Sequence, residues 1–135
     1  MIKISDLKEG DLIRVNNEGV EMEGEVTAVD QVQKMACVST GEGNEFWYQA
    51  GDLSAIPLND SALRKLHFER VDEPGGGIKY MKGAFRVHID REGDFSNPSF
   101  WYREDRRHVH EPISLHQLQN YYLSMTKVHL TEAAI

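Results

Sequence analysis

The sequence contains little cysteine, little proline and no long apolar run. Cys37 is the only cysteine in 135 residues, so the chain cannot form an internal disulfide. No stretch approaches the ~18 consecutive apolar residues that a membrane-spanning helix needs. The first residues also lack the apolar segment of a secretory signal. These absences predict a cytoplasmic protein that is not anchored in a membrane.

Basic residues are scarce in the first part of the chain. Residues 1–57 contain 4 Lys and Arg against 11 Asp and Glu, whereas residues 58–135 contain 11 of each. The net charge of −7 therefore belongs to the first part. It argues against generic nucleic-acid binding, because that binding depends on Lys and Arg that displace counterions. It fits a solvated acidic surface or a basic protein partner.

The first part does contain short strand patterns that are separated by turns. In Val20–Ala28 apolar residues alternate with Glu and Thr, which is the period of a strand with one buried face. Gly24 within it predicts a bend or a bulge. Further strands are expected at 12–15, 35–39 and 45–49, followed by a closing segment at 51–56. Such a series of short strands predicts an SH3-like β-barrel lobe over residues 1–57.

The second part, residues 58–135, predicts an antiparallel sheet packed by a C-terminal helix. A short helix is expected from Asn59 or Asp60 to about Leu66. Strands are expected at 80–81, 85–89, 99–103 and 108–110, with a loop at 72–77 and a turn at 104–107. The predicted fold class is therefore α+β. The sequence leaves open whether the two lobes share one core.

The clearest helix pattern begins after Ser114. Ser114 and Gln117 have the spacing of a capping box, and Ile113 and Leu118 are placed for a hydrophobic staple. Apolar residues recur at steps of three and four, so that they share one helical face. These residues are Leu115, Leu118, Tyr122 and Met125. A sheet is expected to cover that face.

The run Leu115–Tyr122, followed by Met125-Thr126, resembles the C-terminus of a family of small uncharacterised proteins. That family occurs in gut bacteria and in their phages and other mobile elements. A second similar block comprises Ile56-Pro57-Leu58 and then Leu63, Leu66 and Phe68. The family has a glycine after the threonine, where this chain has Lys127. The resemblance implies a shared fold and an origin in mobile elements, and it implies no particular activity.

The tripeptide Phe-Trp-Tyr occurs twice, at 46–48 and at 100–102. In a strand its Phe and Tyr share one face and its Trp lies on the other. Two interpretations stay open. The triplets fill small β cores, or they contribute Trp47, Trp101 and Tyr102 to a recognition surface for a base, a sugar or a peptide.

Basic residues collect after the second triplet. Arg103, Arg106 and Arg107 follow Trp101 closely, and Lys79, Lys82 and Arg86 precede it. If these side chains share one face beside Trp101, they form a possible site for single-stranded nucleic acid. The alternative is a solvated turn, because acidic residues interrupt the first cluster. The candidate ligand- or partner-binding residues are thus Trp47, Trp101, Tyr102, Arg103, Arg106 and Arg107.

His108 and His110 have the spacing that places two imidazoles on one face of a strand, and His88 or His116 could supply a third ligand. No CxxC or HExxH motif accompanies them, so we predict neither a metal nor another cofactor. The sequence also shows no pairing of a nucleophile with a base, so no catalytic residue is predicted.

Three classes of function therefore remain. The first is a small, non-catalytic protein-binding or accessory protein that engages another protein or a second copy of itself. The second is a nucleic-acid-associated module that uses the aromatic and basic second part, against which the net acidic charge argues. The third is an enzyme, for which the sequence shows no constellation of side chains.

Overall fold

The computed structural model describes residues 2–41 and 43–130. The chain divides into two compact units, Met1–Ile56 and Pro57–Ile135, one residue before the boundary expected from the sequence. Each unit contains a five-stranded antiparallel sheet, and the second unit also contains a C-terminal helix. The fold class is α+β, and the first sheet is a curled half-barrel.

The first sheet is a meander whose first strand also pairs with its last. Its strands are β1 (Leu12–Asn17), β2 (Val20–Asp30), β3 (Met35–Ser39), β4 (Glu45–Gln49) and β5 (Leu53–Ser54). Their order in the sheet is β4-β3-β2-β1-β5. A 3-10 helix of three residues, Ala50–Asp52, joins β4 to β5. This connection is so short that the two edges of the sheet must curl toward each other.

Strand β2 departs from the alternation that the sequence predicts. Val26 pairs with Val38 but Ala28 pairs with Cys37, so that Thr27 is an extra residue in a β-bulge. A bulge shifts the following side chains to the opposite face. The expectation that Ala28 shares a face with Val26 is therefore wrong, because the hydrophobic pattern does not reveal the inserted residue.

The beginning of β2 is also more exposed than its apolar residues predict. Val20 and Met22 are 58% and 36% exposed. Strand β3 pairs with β2 only from Glu25 onward, so the first residues of β2 have β1 as their neighbour in the sheet. The apolar core of this unit instead collects ten other buried residues. They are Ile2, Ile4, Leu7, Ile13, Val15, Val26, Ala36, Val38, Tyr48 and Leu53.

Gly24 lies where the backbone of β2 leaves no room for a side chain. A Cβ atom at this position would lie 2.6 Å from Val38 Cγ1 and 2.7 Å from the carbonyl oxygen of Ser39. Both distances are shorter than van der Waals contact. The sequence associates Gly24 with a bend or bulge, and the bulge follows at Thr27. Gly24 itself is required by the close approach of Val38 and Ser39.

The second sheet is a meander in which every strand pairs with its neighbours in sequence. Its strands are β6 (Glu69–Asp72), β7 (Ile78–Lys82), β8 (Phe85–Ile89), β9 (Ser99–Tyr102) and β10 (Asp105–His108). Strand β6 is absent from the sequence prediction. The predicted turn at 104–107 and the predicted strand at 108–110 are wrong, because β10 begins at Asp105 and ends at His108. Strands β6 and β10 are rich in charged residues, which have low strand propensity. They are extended because each pairs with a neighbouring strand.

One face of the second sheet forms the core of its unit. Tyr80, Phe85 and Phe100 are at most 1% exposed, and β8 alternates buried and half-buried residues along its whole length. Phe85 packs against Phe100 with ring centroids 6.2 Å apart. Helix α2 (Leu115–Thr126) covers this face, since the ring of Tyr122 lies 4.8 Å from that of Phe85.

The helix termini agree with the sequence prediction. Ser114 and Gln117 form the capping box of α2, and Leu115, Leu118, Tyr122 and Met125 are buried as expected. Asn59 caps α1 (Asp60–Lys65) and accepts a hydrogen bond from the backbone of Ala62 at 2.8 Å. Lys127 ends α2 in the left-handed conformation, with φ of 64°. No helix in residues 2–41 and 43–130 is long and apolar enough to cross a membrane.

A buried hydroxyl joins β7 to α1. Tyr80 Oη donates to Asp60 Oδ1 at 2.7 Å, and Arg64 Nε donates to Asp60 Oδ2 at 2.8 Å. Burial and the bond to Asp60 raise the pKa of Tyr80 to about 12. The bond that Tyr80 donates lowers the pKa of Asp60 below its usual value.

We predict that Gly24→Ala lowers the free energy of unfolding by about 2 kcal/mol, because the methyl group overlaps Val38 and the fixed carbonyl of Ser39. Gly51→Ala is the matched control, since a Cβ atom at Gly51 would have no atom within 4 Å. Urea unfolding of the three proteins measures the difference. Equal stability of the two variants would contradict the crowding at Gly24.

We predict that Tyr80→Phe lowers the free energy of unfolding by about 1 kcal/mol at neutral pH, since it removes the bond to Asp60. Folding raises the pKa of Tyr80, so its contribution is complete below the ordinary value of 10.0 and is lost as the pH rises through about 12. Urea unfolding of both proteins across this range measures the difference. A difference that does not shrink at high pH would count against the buried hydroxyl.

Candidate functional site

The second sheet has a face opposite its core, and we call this the open face. Residues that pair directly across an antiparallel sheet project on the same side. Met81 pairs with Arg86, Arg86 with Trp101, and Trp101 with Arg106. One row across β7, β8, β9 and β10 therefore places an indole between two guanidinium groups. Glu69 ends this row on β6.

Trp101 is the centre of a small cavity on the open face. The cavity has a volume of about 150 Å³ and is lined by Ala84, Arg86, Trp101, Arg103 and Arg106. The Arg106 guanidinium carbon lies 4.6 Å from the centroid of the Trp101 ring, which is within the range of a cation–π interaction. Three arginines and one aromatic ring thus line a space that is open to solvent, and the guanidinium carbon of Arg103 also lies 5.1 Å from the centroid of the Tyr102 ring.

Two hairpin loops form one end of this cavity. Gly83 and Ala84 connect β7 to β8, and Arg103 and Glu104 connect β9 to β10. The first residue of each loop has a positive φ, 58° for both Gly83 and Arg103. Glycine adopts this conformation at little cost, whereas a side chain there is strained. The chain therefore accepts a strained arginine at the edge of the cavity.

The arginines at the cavity differ from the other arginines of this unit. Arg64, Arg70, Arg91 and Arg107 each lie within 4.0 Å of a carboxylate oxygen. Within the described part of the chain, Arg86, Arg103 and Arg106 have no such carboxylate. Arg86 Nε is also buried without a hydrogen-bond partner there. Burying a polar cationic group without a partner costs free energy, and a hydrogen bond to a bound anion would remove that cost.

A second row on the open face carries histidines. Lys79 pairs with His88, His88 with Ser99, and Ser99 with His108. His88 Nε2 lies 3.0 Å from Glu73 Oε1, and its ring stacks on Trp101 with centroids 6.5 Å apart. These residues extend the polar and cationic character of the face next to the Trp101 cavity.

His108 and His110 do come together, with ring centroids 4.5 Å apart. His108 Nδ1 forms a hydrogen bond with Ser99 Oγ at 2.7 Å. Among residues 2–41 and 43–130, no group of three or more His, Cys, Asp or Glu side chains could hold a metal ion. His116 is buried beside Ser114, with 3.1 Å between Nδ1 and Oγ.

The structure divides the other sequence candidates between the two faces of the second sheet. Tyr102 and Arg107 pair with core-face residues, Phe85 and Phe100, so they lie opposite Trp101. Arg107 binds Asp105 at 3.1 Å. Lys82 also lies on the core side, where its amine donates to the carbonyl of Leu66 at 2.9 Å and burial lowers its pKa.

Trp47 belongs to the other unit, on strand β4, and is 49% exposed. It pairs with Cys37, a buried thiol. Both tryptophans lie opposite the Phe and Tyr of their triplets, as strand alternation predicts. The sequence gives no sign of Ala84 as a lining residue, since its role arises from the short loop that it shares with Gly83.

A second concavity of about 370 Å³ lies in the first unit between the segment Ile2–Ser5 and residues Gln31, Lys34 and Ala50. Its cationic groups are Lys3 and Lys34, and it contains no aromatic ring. The Trp101 cavity is smaller, but it concentrates more charge and offers a surface for stacking.

No protein-family model, no curated protein and no solved structure matches the chain.

We predict that Arg103→Gly raises the free energy of unfolding by about 1 kcal/mol, because glycine removes the strain at a φ of 58°. Arg103→Ala separates this effect from charge, since it removes the guanidinium and keeps the Cβ atom. Urea unfolding of the three proteins measures both. If Arg103→Ala stabilises as much as Arg103→Gly, repulsion between arginines explains the gain and the strain does not.

Proposed function

We propose that the protein is a non-catalytic binding module whose open face binds single-stranded nucleic acid. The observation that carries this proposal is the segregation of arginines in the second unit. Those that have carboxylate partners lie elsewhere, and the three that have none in the described chain line one cavity beside Trp101. Guanidinium groups bind phosphate, like carboxylate, with bidentate geometry.

The aromatic component favours a nucleic acid over a simple anion. Single-stranded bases stack on aromatic rings and on guanidinium planes, and each stacked base contributes about 1–3 kcal/mol. Trp101 and the exposed Arg106 provide both surfaces in one cation–π pair. A base stacks on the outer side of this pair, while Arg86 and Arg103 contact the adjoining phosphates. Duplex bases are already stacked on each other, so the single strand is preferred.

The net charge of the chain does not exclude nucleic-acid binding at the open face. Charged groups farther apart than about 8–10 Å are largely screened at physiological salt. Residues 58–135 carry equal numbers of acidic and basic residues, and the open face concentrates the basic ones around Trp101. The net charge is an average over the whole chain, whereas a bound phosphate responds to the groups within a few ångströms.

Three further assignments belong to the same proposal. A meander in which β1 pairs with both β2 and β5 supports an SH3-like barrel for the first unit. The C-terminal helix block and the Ile56–Phe68 block support a relationship to the family from gut bacteria and mobile elements. The single cysteine supports a cytoplasmic location.

Binding is tested with a fluorescein-labelled oligothymidylate of about ten nucleotides and the full chain, by fluorescence anisotropy. We expect Arg86→Gln and Arg106→Gln each to weaken binding about tenfold and to reduce the salt dependence by about one ion. Trp101→Leu should weaken it about tenfold without changing the salt dependence. Arg107→Gln is the matched control, because it removes the same charge from the opposite face, and we expect a change of less than about twofold.

Two results would overturn this proposal. Equal losses in Arg106→Gln and Arg107→Gln would indicate nonspecific attraction to charge. Saturable binding to a polyglutamate peptide that exceeds binding to the oligonucleotide would assign the cavity to an acidic protein partner instead.

A further inference from the structure

We propose that the exposed edge of β4 in the first unit binds an extended peptide rich in Lys and Arg, which adds to the sheet as a sixth strand. This inference is independent of the Trp101 cavity. Strand β4 is the outermost strand in the order β4-β3-β2-β1-β5. An edge strand presents unpaired backbone groups that a second chain can use for pairing.

The pairing pattern identifies which backbone groups point outward. Thr40 N donates to Asn44 O at 3.2 Å, so this pair is a hydrogen-bonded pair of the β3–β4 ladder. Antiparallel pairs alternate between hydrogen-bonded and non-hydrogen-bonded types. The backbone of Phe46 and Tyr48 is therefore engaged with β3. The backbone N–H and C=O groups of Glu45, Trp47 and Gln49 point away from β3, toward the free edge.

Each face of this edge strand exposes one aromatic side chain. Phe46 is 53% exposed on the core side of the sheet, and Trp47 is 49% exposed on the outer side. Among the described residues, the aromatic side chains that are exposed in this way are Phe46 and Trp47, and both belong to this one edge strand, where a second chain can pair. An added strand would place alternate side chains against Trp47 and against Phe46, as occurs when peptides bind by strand addition.

The surrounding charge selects a cationic peptide. On the outer face, the row beside Trp47 runs Glu25–Ser39–Glu45, and the row on its other side runs Asp30–Met35–Gln49. Carboxylates therefore occupy both rows that flank the indole, and residues 1–57 have a net charge of −7. Arg14 is the one basic residue on the strands of this face, and it lies directly across from Glu23 of β2 in the sheet. Pairing with the same edge of a second copy would bring like charges together, so we assign the edge to a basic partner.

The probe is the capped peptide Lys-Val-Arg-Val-Lys-Val, whose basic residues share one face of a strand and can meet the carboxylates around Trp47. At saturating peptide, NMR hydrogen exchange should slow at least about tenfold at the amides of Glu45, Trp47 and Gln49. The amides of Phe46 and Tyr48, which already pair with β3, should change little. The charge-reversed peptide Glu-Val-Glu-Val-Glu-Val should bind at least about tenfold more weakly.

Gln49→Pro provides the matched substitution. Gln49 has a φ of −83° and a ψ of 161°, which proline adopts readily, and its N–H points away from β3. The variant should weaken binding of the basic peptide about tenfold, whereas Gln49→Ala should change it less than about twofold.

Several outcomes would overturn the inference. One is the absence of peptide binding, and another is equal affinity for the two peptides. Uniform slowing of exchange along β4 would also contradict strand addition. A concentration-dependent dimer that protects the same amides without peptide would assign the edge to a second copy. If Gln49→Pro loses its folded NMR spectrum, the exchange pattern of the unmodified chain still decides.

Discussion

The residues on the open face of the second sheet are determined by the burial of the opposite face. Phe85 and Phe100 are fully buried, and α2 closes over them with Tyr122 and Tyr121. Since side chains alternate along each strand, this burial fixes the register of β8 and β9. Slipping either strand by one residue would place Trp101 in the core and Phe100 in water. The composition of the open face thus follows from the hydrophobic effect acting on the other side of the same strands.

The arginine cluster is positioned by pairing between strands and by two short loops. Arg86 and Arg106 are cross-strand neighbours of Trp101, and Arg103 reaches the cavity from a two-residue loop. Each guanidinium lies on a long flexible stem, but its Cα position is set by the ladder. The arrangement concentrates positive charge that the second unit could have neutralised, as it does at Arg107 and Asp105. Uncompensated charge of this kind is typical of binding sites and contributes little to stability.

Much of this fold follows from local patterns in the sequence. The boundaries of β3 and β4 follow from short strand-forming runs between turn residues, and the capping box of α2 follows from Ser114 and Gln117. Strands β6 and β10 could not be predicted in this way, because Glu69–Asp72 and Asp105–His108 contain few residues that favour strands. Their backbones are ordered by pairing with neighbours that already have an apolar face. The sequence identifies Arg106 and Trp101 as candidates. It cannot show that they pair across the sheet, or that Arg107 lies on the other face, because β10 itself is not predicted.

The two units show why charge must be assessed for each face and not for the whole chain. The outer face of the first sheet surrounds Trp47 with carboxylates, whereas the open face of the second sheet surrounds Trp101 with guanidinium groups. Both tryptophans occupy the same place in the same tripeptide, and alternation directs both away from their cores. What differs is the charge around each ring: Trp47 pairs with Cys37 and lies between the rows that hold Glu25, Glu45 and Asp30, whereas Trp101 pairs with Arg86 and Arg106. Because screening confines electrostatic selection to nearby groups, the same tripeptide presents its indole in an acidic setting in one unit and in a cationic setting in the other.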